Sequence, residues 1–384
     1  MDKDFHGHII KPLVGVLIIE VILGVSLKMM RMGGIWGWEP GNDDVFDVFS
    51  KRNRDDCLEP MRALRDLAKR QNIELHTEDL FRKQHIQPDF GLYVESIPLV
   101  ENGIAKNYLI LYETSLTVPA NGNADYLNSF DKIFTWDLDL LFGRGYNQNF
   151  CKVAKEKLIE IRIPNPSQLN RHVPSFISRT ISFCLIGSNR HANVVDEREL
   201  YSERVRAIKW FESNALAEFK LYGHGWKMPE KRYSRIGKIQ YRLQKIKPFI
   251  LRTPIFPSYL GAIGKKSDVL TMAKFCICFE NARDIRGYLT EKIFDCLFSG
   301  CIPIYWGEPN IGDWIPEECF IDFRKFKSYK DLYDYTSTMS ESLFTRYQDA
   351  GQEFLRSEAF TPHSSSAFSN VIINSISEDL KKGG

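Results

Sequence analysis

The chain has 384 residues, of which 43% are hydrophobic and 26% are charged, and this balance excludes an intrinsically disordered protein. Its formal net charge of +2 is too small for a surface that coats nucleic acid through charge alone. The length suffices for two domains of ordinary size.

The first 30 residues contain a strongly apolar run over residues 13–27. This run is shorter than the roughly 20 residues of a comfortable membrane span, and an acid at its centre, Glu20, costs about 2.5–3.5 kcal/mol on insertion. Three interpretations of residues 1–30 stay open: a signal anchor, a buried helix or strand, and an N-terminal extension.

Residues 31–165 predict an α/β domain, because short apolar strands alternate with helices or long loops. An apolar stripe along residues 56–71 is typical of an amphipathic helix. The predicted strands are 33–40, 73–76, 90–94, 108–112, 131–136 and 158–163.

A proline-rich stretch without periodicity, residues 163–176, indicates a boundary, with the linker itself placed at 166–176. Residues 177–355 form the second predicted α/β domain, and residues 356–384 are expected to be a C-terminal tail, polar and loop-like over 357–366. The predicted strands of this domain are 181–186, 219–222, 275–279 and 301–306, and its predicted helices are 203–214, 291–300 and 329–355.

The most informative stretch is residues 274–310, whose pattern predicts a strand, a polar loop, a helix and a second strand. We expect Thr290 to cap the start of the helix and Gly300 to stop its end. In α/β folds this order places loop side chains beyond the carboxyl ends of the strands, where nucleotides bind. Polar and charged groups around a helix N-terminus also suit a phosphate-bearing ligand.

Three spaced motifs in this stretch resemble the signature of the family 10 glycosyltransferases, the α-1,3/1,4-fucosyltransferases. They are F-C-I-C-F-E-N at 275–281, Y-L-T-E-K at 288–292 and G-C-I-P-I-Y-W-G at 300–307. The resemblance implies an α/β fold of the GT-B type, in which two Rossmann-like domains face a cleft. It also implies inverting transfer of L-fucose from GDP-β-L-fucose to a hydroxyl of a glycan acceptor, with an α-1,3/1,4 linkage.

Five residues are the candidates for donor binding. Lys292, at the predicted helix start, supplies the fixed positive charge that a diphosphate needs. Arg204 is the second cation, because residues 201–211 resemble the family segment in which an arginine at a helix start contacts the diphosphate. Glu291 can accept the ribose hydroxyls, while Asn281 and Tyr288 fall on positions that the family uses for the donor. The alternatives are structural: an exposed helix pair for Glu291 and Lys292, a loop cap for Asn281, a packed aromatic ring for Tyr288 and a solvated helix charge for Arg204.

The acceptor side must supply a base, because the attacking hydroxyl loses its proton as the nucleoside diphosphate leaves. Residues 108–119 resemble the family segment in which an apolar strand ends in a glutamate, and Glu113 occupies the position of the general base. This chain has Glu-Thr-Ser where the family commonly has Glu-Ser-Pro. The alternative for Glu113 is a strand-end carboxylate that binds a backbone amide.

No metal ligand and no required cofactor are predicted, since GDP-fucose is a substrate; stimulation by a divalent metal stays open. Asp137-Leu-Asp139 has the D-x-D form that binds a metal in other glycosyltransferases, but it lies away from the donor motif, and a structural role is expected. The eight cysteines include no C-x-x-C pair and no Cys/His cluster at zinc spacing.

Two other functions stay open. The same fold could use another GDP-sugar, or a basic stretch over residues 227–247 could serve a non-catalytic protein that binds glycan or lipopolysaccharide. The predicted partners are GDP-fucose, a glycan acceptor and a membrane surface, and not nucleic acid. We expect a membrane-associated protein with a cytoplasmic catalytic domain, as in bacteria, or else a Golgi type II membrane protein.

Overall fold

The computed structural model describes residues 30–39, 41–95, 103–166, 172–192, 195–230, 241–242, 245 and 254–382. The apolar run at 13–27 lies outside these residues, as do most of the basic stretch at 227–247 and residues 167–171 of the predicted linker. Within the described part of the chain, no helix is both long and apolar enough to cross a bilayer.

The first domain is built on a sheet of parallel strands. These are β1 (Arg31–Trp36), β2 (Ile73–Thr77), β3 (Phe90–Val94), β4 (Lys106–Ile110), β5 (Lys132–Thr135) and β6 (Leu158–Glu160). Their order in the sheet is β2-β1-β3-β4-β5-β6. The connecting helices are α1 (Glu59–Arg70), α2 (Glu78–Gln84), α3 (Ala124–Asn128) and α4 (Leu138–Phe142).

The second domain repeats this plan. Its strands are β7 (Ile181–Ile186), β8 (Phe219–Tyr222), β9 (Tyr259–Gly261), β10 (Ala273–Phe279), β11 (Ile302–Trp306) and β12 (Ile321–Asp322). They pair in parallel in the order β12-β11-β10-β7-β8-β9. The helices are α5 (Tyr201–Asn214), α6 (Ser267–Leu270), α7 (Glu291–Phe298), α8 (Tyr329–Ser337) and α9 (Glu341–Arg356). The two predicted α/β units are therefore confirmed.

The unit β10-α7-β11 has the predicted order of elements. Gly300 ends α7 in the left-handed conformation, with φ at 62°. Its N–H donates to the carbonyl of Leu297 and that of Cys301 donates to Cys296, both at 3.0 Å, which is the Schellman pattern. A Cβ at position 300 would lie 2.2 Å from a methyl carbon of Val173, so glycine is required there for space as well as for backbone conformation.

Thr290 stands at the expected N-cap position, but the expected capping hydrogen bond is absent. The residue precedes α7 in an extended conformation, but its side chain makes no capping hydrogen bond to the helix. Its hydroxyl donates instead to Oε2 of the buried Glu280 at 2.7 Å, and its backbone N–H donates to Oε1 at 2.9 Å. The Thr290 hydroxyl therefore binds the Glu280 carboxylate and does not cap the helix.

The C-terminal part departs from the prediction in three places. Residues 329–355 form two helices, because Ser340 accepts a hydrogen bond from the Leu343 N–H and starts α9 anew. The stretch expected to be a loop at 357–366 contains a 3-10 helix, Glu358–His363. A long helix that we did not predict, α10 (Ser365–Lys382), follows it.

Helix α10 returns to the first domain and packs on α1. Its apolar side chains recur at helical spacing and are at most 2% exposed within the core of that domain: Phe368, Ile372, Ile373 and Ile376. The Tyr108 hydroxyl of β4 also donates to Asp379 of this helix at 2.8 Å. The chain therefore crosses between the domains twice, and its last helix belongs to the core of the first domain.

We expect Ile372→Ala to lower the free energy of unfolding by about 2–5 kcal/mol, because it opens a cavity in a closely packed core. The neighbouring Val371 is 37% exposed, so Val371→Ala is the matched control and should change stability by no more than about 0.5 kcal/mol. Chemical denaturation followed by circular dichroism measures both. Equal effects of the two substitutions would contradict the packing of α10.

Candidate active site in the interdomain cleft

A cavity of about 530 Å³ separates the two domains, and we call it the interdomain cleft. Its volume falls in the usual range for small-molecule sites. It is lined by loops that follow the strands of both sheets, and all six side chains predicted for the site line it. They are Glu113, Arg204, Asn281, Tyr288, Glu291 and Lys292.

The direction of the parallel strands explains this convergence. Glu113 follows β4, and Asn281 follows β10, so both stand just beyond carboxyl ends of strands. Lys292 stands in the first turn of α7, which begins at the same edge of the second sheet. Because the carboxyl edges of the two sheets face each other, residues far apart in sequence meet in one cleft.

The Glu113 side chain, from the first domain, contacts two residues of the second domain. Tyr288 donates its hydroxyl to Oε2 at 3.0 Å, and Asn281 Nδ2 lies 3.3 Å from each carboxylate oxygen. Tyr288 is buried against Trp136 with ring centroids 4.8 Å apart. Burial and the neighbouring Glu113 charge raise the pKa of Tyr288 well above its usual range, so its hydroxyl stays protonated and donates.

Arg204 is held in the cleft wall and is only 7% exposed, which excludes the solvated helix charge considered from the sequence. Its Nε and Nη2 donate to the carbonyl of Phe279 at 3.1 and 2.7 Å, and Nη2 also donates to Oδ1 of Asn281 at 2.9 Å. Asn281 therefore links the guanidinium of α5 to the carboxylate of Glu113 through one amide.

Lys292 lines the interdomain cleft and contacts residues at the base of its own loop. Its Nζ donates to Oε2 of Glu280 at 3.0 Å and to the hydroxyl of Thr290 at 2.8 Å. Burial lowers the pKa of this ammonium, but the charges of Glu280 and Glu291 more than offset it, so the pKa is raised. A fixed positive charge consequently stands at the N-terminus of an eight-residue helix, where anions are stabilised.

Glu291 has a partner that sequence reasoning missed. Lys266 Nζ donates to Glu291 Oε1 at 3.1 Å and to Asp295 Oδ2 at 2.7 Å. Partial burial raises the pKa of the Glu291 carboxyl, but the ammonium groups of Lys266 and Lys292 more than offset this and lower it. The carboxylate stays ionised and can accept hydroxyl groups.

Lys266 is positioned from the opposite domain. Asp55 accepts the backbone N–H of Lys266 at 2.5 Å and the hydroxyl of Ser267 at 2.7 Å. Arg54 next to it lies 3.5 Å from the His224 ring, measured from Nη1 to Nε2. No motif in the sequence marks these contacts, because they join segments more than 150 residues apart.

Two glycine-containing loops form the far wall of the cleft. Gly223 has φ at 126°, and a Cβ there would lie 1.9 Å from the carbonyl oxygen of Gly187. The Gly223-His-Gly225 sequence thus permits close contact between the loops after β7 and β8, which carry Arg190 and His224 into the cleft.

The aspartates of the D-x-D sequence have structural partners. Asp137 caps α4 by accepting the N–H groups of Asp139 and Leu140, and it also accepts the Tyr146 hydroxyl at 2.7 Å. Burial raises the pKa of Asp137 to about 7. Asp139 accepts a hydrogen bond from Arg286 Nε at 2.6 Å, an ion pair between the domains. These contacts agree with the structural role expected for both. Within the described ranges, no group of three or more His, Cys, Asp or Glu residues is arranged to hold a metal ion.

Comparison with known proteins supports the family resemblance. Residues 261–366 match the model of glycosyltransferase family 10 (fucosyltransferase), C-terminal part. An α-(1,3)-fucosyltransferase FucT of Helicobacter pylori is 40% identical over 19% of this chain and 15% of its own length. An α-(1,4)-fucosyltransferase of Arabidopsis thaliana is 38% identical over 18% of this chain and 17% of its own length. The matched segment thus spans less than a fifth of either relative.

The fold has a wider likeness. The Anabaena protein HepE, whose crystal structure contains UDP and glucose, superposes with a TM-score of 0.56 at 11% sequence identity. The superposition covers 91% of this chain and 99% of that protein. Together with the two parallel six-stranded sheets, this confirms the predicted GT-B type of fold.

Proposed function

We propose that this chain, whose residues 261–366 match the model of the C-terminal part of glycosyltransferase family 10, transfers L-fucose from GDP-β-L-fucose to a hydroxyl of a glycan acceptor. The observation that carries the proposal is the contact of Glu113 with Asn281 and Tyr288 across the interdomain cleft. It joins a carboxylate of the first domain to the motif residues of the second.

The donor would lie against the second domain. Lys292 at the start of α7 and Arg204 on α5 bring an ammonium and a guanidinium to the same cleft, where they can offset the charge of a diphosphate. Glu291, kept ionised by its lysine neighbours, can accept the two ribose hydroxyls. Because these cations belong to the chain itself, we propose that no divalent metal is required.

Transfer would proceed as a single displacement at the anomeric carbon. The acceptor oxygen attacks from the side opposite to the diphosphate, its proton passes to Glu113, and GDP leaves with the electrons of the broken carbon–oxygen bond. Such a displacement inverts the configuration. Oε2 of Glu113 accepts from Tyr288 and Asn281, whereas Oε1 has, among the described residues, only the 3.3 Å contact with Asn281, so Oε1 is the better placed proton acceptor.

The test is an assay of GDP released from GDP-fucose in the presence of a mixed panel of glycan acceptors. We expect acceptor-dependent release of GDP from GDP-fucose, because the proposed base acts only on a bound hydroxyl. GDP-mannose serves as the matched donor, since it shares the nucleotide and differs in the sugar. Faster turnover of GDP-mannose than of GDP-fucose would contradict the proposed donor and favour the alternative, an enzyme of the same fold that uses another GDP-sugar.

Product analysis then determines the linkage, for which we propose α-1,3 or α-1,4. The other alternative, a non-catalytic protein that binds glycan or lipopolysaccharide through residues 227–247, predicts binding that ignores GDP and weakens steeply with salt. Thermal melting with and without GDP separates it from the enzyme: a transferase should melt at a higher temperature when GDP fills the cleft.

A further inference from the structure

A half-buried glutamate, Glu95, lies beneath the loop that carries Glu113. It follows β3 directly and has a left-handed backbone, with φ at 64°. Its N–H donates to the carbonyl of Ile110, at the end of the neighbouring β4, at 2.8 Å. A residue other than glycine in this conformation costs roughly 1–3 kcal/mol, so the surrounding contacts must hold it there.

The carboxylate of Glu95 receives hydrogen bonds from three donors. Oε1 accepts the backbone N–H of Tyr112 at 2.5 Å and that of Glu113 at 2.6 Å. Oε2 accepts Nδ2 of Asn121 at 2.8 Å. One carboxylate thus binds two successive amides at the point where β4 turns into the cleft.

Asn121 closes this arrangement. Its Nδ2 also donates to the carbonyl oxygen of Glu113 at 2.8 Å. Because Glu95 Oε2 and that carbonyl oxygen are both acceptors, only the amide nitrogen of Asn121 satisfies them together. The N–H and the C=O of Glu113 are therefore both held, one by Glu95 directly and the other through Asn121.

We propose that Glu95 is a positioning residue that holds the backbone of Glu113 so that its carboxylate faces the acceptor hydroxyl. The inference rests on the proposed function of Glu113 as the base. Glu95 itself does not touch the substrates. Its effect is on the orientation of Glu113, to which the rate of proton transfer is sensitive.

The ionisation state of Glu95 matters because all three partners are donors. A protonated carboxyl would place its own O–H against one of them. Burial raises the pKa of Glu95 to about 7, although the hydrogen bonds from Asn121, Glu113 and Tyr112 lower it; the nearby charge of Glu113 raises it further. The titratable groups that face Glu95 are the Glu113 carboxyl and the Tyr112 hydroxyl, and burial and the Glu95 charge raise the pKa of the latter above its usual range.

Glu95→Gln tests the positioning role. We expect kcat to fall about tenfold or more, the scale of one hydrogen bond to a charged group, while the affinity for GDP stays unchanged. In the unaltered protein kcat should also fall as the pH drops through about 7, because Glu95 becomes protonated, and this part of the pH profile should disappear in Glu95→Gln.

Asp131→Asn is the control, because Asp131 accepts the backbone N–H of Asn107 at 2.8 Å at the far end of β4. It should leave kcat and the pH profile unchanged. Asn121→Ala is the second variant, expected to lower kcat without affecting GDP affinity, and it serves if Glu95→Gln folds poorly. A loss of thermal stability in both Glu95 and Asn121 variants with unchanged kcat would make their role merely structural and overturn the proposal.

A readout independent of turnover separates this inference from the proposed function. In protein labelled with ¹⁵N-tyrosine, the amide signal of Tyr112 should titrate with a midpoint near pH 7, and Glu95→Gln should abolish the titration. Its signal is identified by its absence in Tyr112→Phe. If the unaltered protein transfers sugar but Glu95→Gln keeps its kcat and pH profile, the positioning role is wrong and the proposed function stands. If the unaltered protein releases no GDP with any acceptor, the proposed function is wrong. If the Tyr112 amide signal does not titrate in the unaltered protein, the hydrogen bonds to Glu95 are wrong, and the positioning role with them.

Discussion

Glu113→Gln should slow sugar transfer about 100- to 10,000-fold, the usual contribution of a positioned general base. Glutamine is the same size and keeps an oxygen that can accept from Tyr288, but it cannot take the proton of the acceptor. Because Arg204, Glu291 and Lys292 are unaltered, the affinity for GDP should stay within about twofold of the original value, a difference below 0.5 kcal/mol. Initial rates of GDP release and calorimetry with GDP measure the two quantities.

Glu317→Gln is the matched control for this substitution. Glu317 is an exposed carboxylate of the second domain that pairs with Lys325 at 2.6 Å, and its loss should leave transfer unchanged. If Glu113→Gln turns over GDP-fucose at nearly the original rate, Glu113 is not the base. A parallel loss of GDP binding would instead assign Glu113 to the integrity of the cleft, through its contacts with Asn281 and Tyr288.

The second large effect is expected for Lys292→Ala, which should weaken GDP binding about 10- to 100-fold and nearly abolish turnover. The ammonium provides a charge-assisted hydrogen bond to phosphate, and such bonds contribute about 1.5–3 kcal/mol. The loss should fall on the donor, so raising the acceptor concentration should not restore the rate. Calorimetry with GDP and initial rates at several GDP-fucose concentrations test this directly.

Stability has to be separated from binding in this experiment. Glu280 is fully buried, and removing its lysine leaves a buried charge whose remaining partners are those of Thr290 among the described contacts. Loss of one partner of a buried pair can cost about 3–5 kcal/mol. The double variant Lys292→Ala/Glu280→Gln should recover much of the melting temperature but none of the GDP affinity.

Lys325→Ala, at the other end of the exposed pair with Glu317, is the control for loss of a lysine and should change neither quantity. Recovery of GDP affinity in the double variant would mean that Lys292 acts only by neutralising Glu280. In that case the positive charge that binds the diphosphate would have to come from Arg204 or Lys266, which line the same cleft.

Local patterns were sufficient to predict the second domain around the donor motif. The apolar runs that become β10 and β11 are buried on both faces of a parallel sheet, so they appear in the sequence as continuous hydrophobic segments. Gly300 was predictable as a helix end because only glycine adopts its backbone conformation without strain. Because Glu291 and Lys292 stand between the two apolar runs, directly before the periodic helical residues, both were predicted to lie at the N-terminus of the helix.

The sequence by itself therefore indicated two α/β units and a helix start that carries Glu291 and Lys292, because apolar runs and helix ends are local features. The family resemblance, and not any local pattern, singled out Glu113, Arg204, Asn281 and Tyr288. Only the tertiary structure decided what holds those side chains. Glu95 beneath Glu113, Lys266 beside Glu291 and the return of α10 to the first domain all depend on contacts between distant segments. The apolar periodicity of residues 368–376 indicates a helix but not the domain on which that helix packs, because contacts between distant segments are set by tertiary packing.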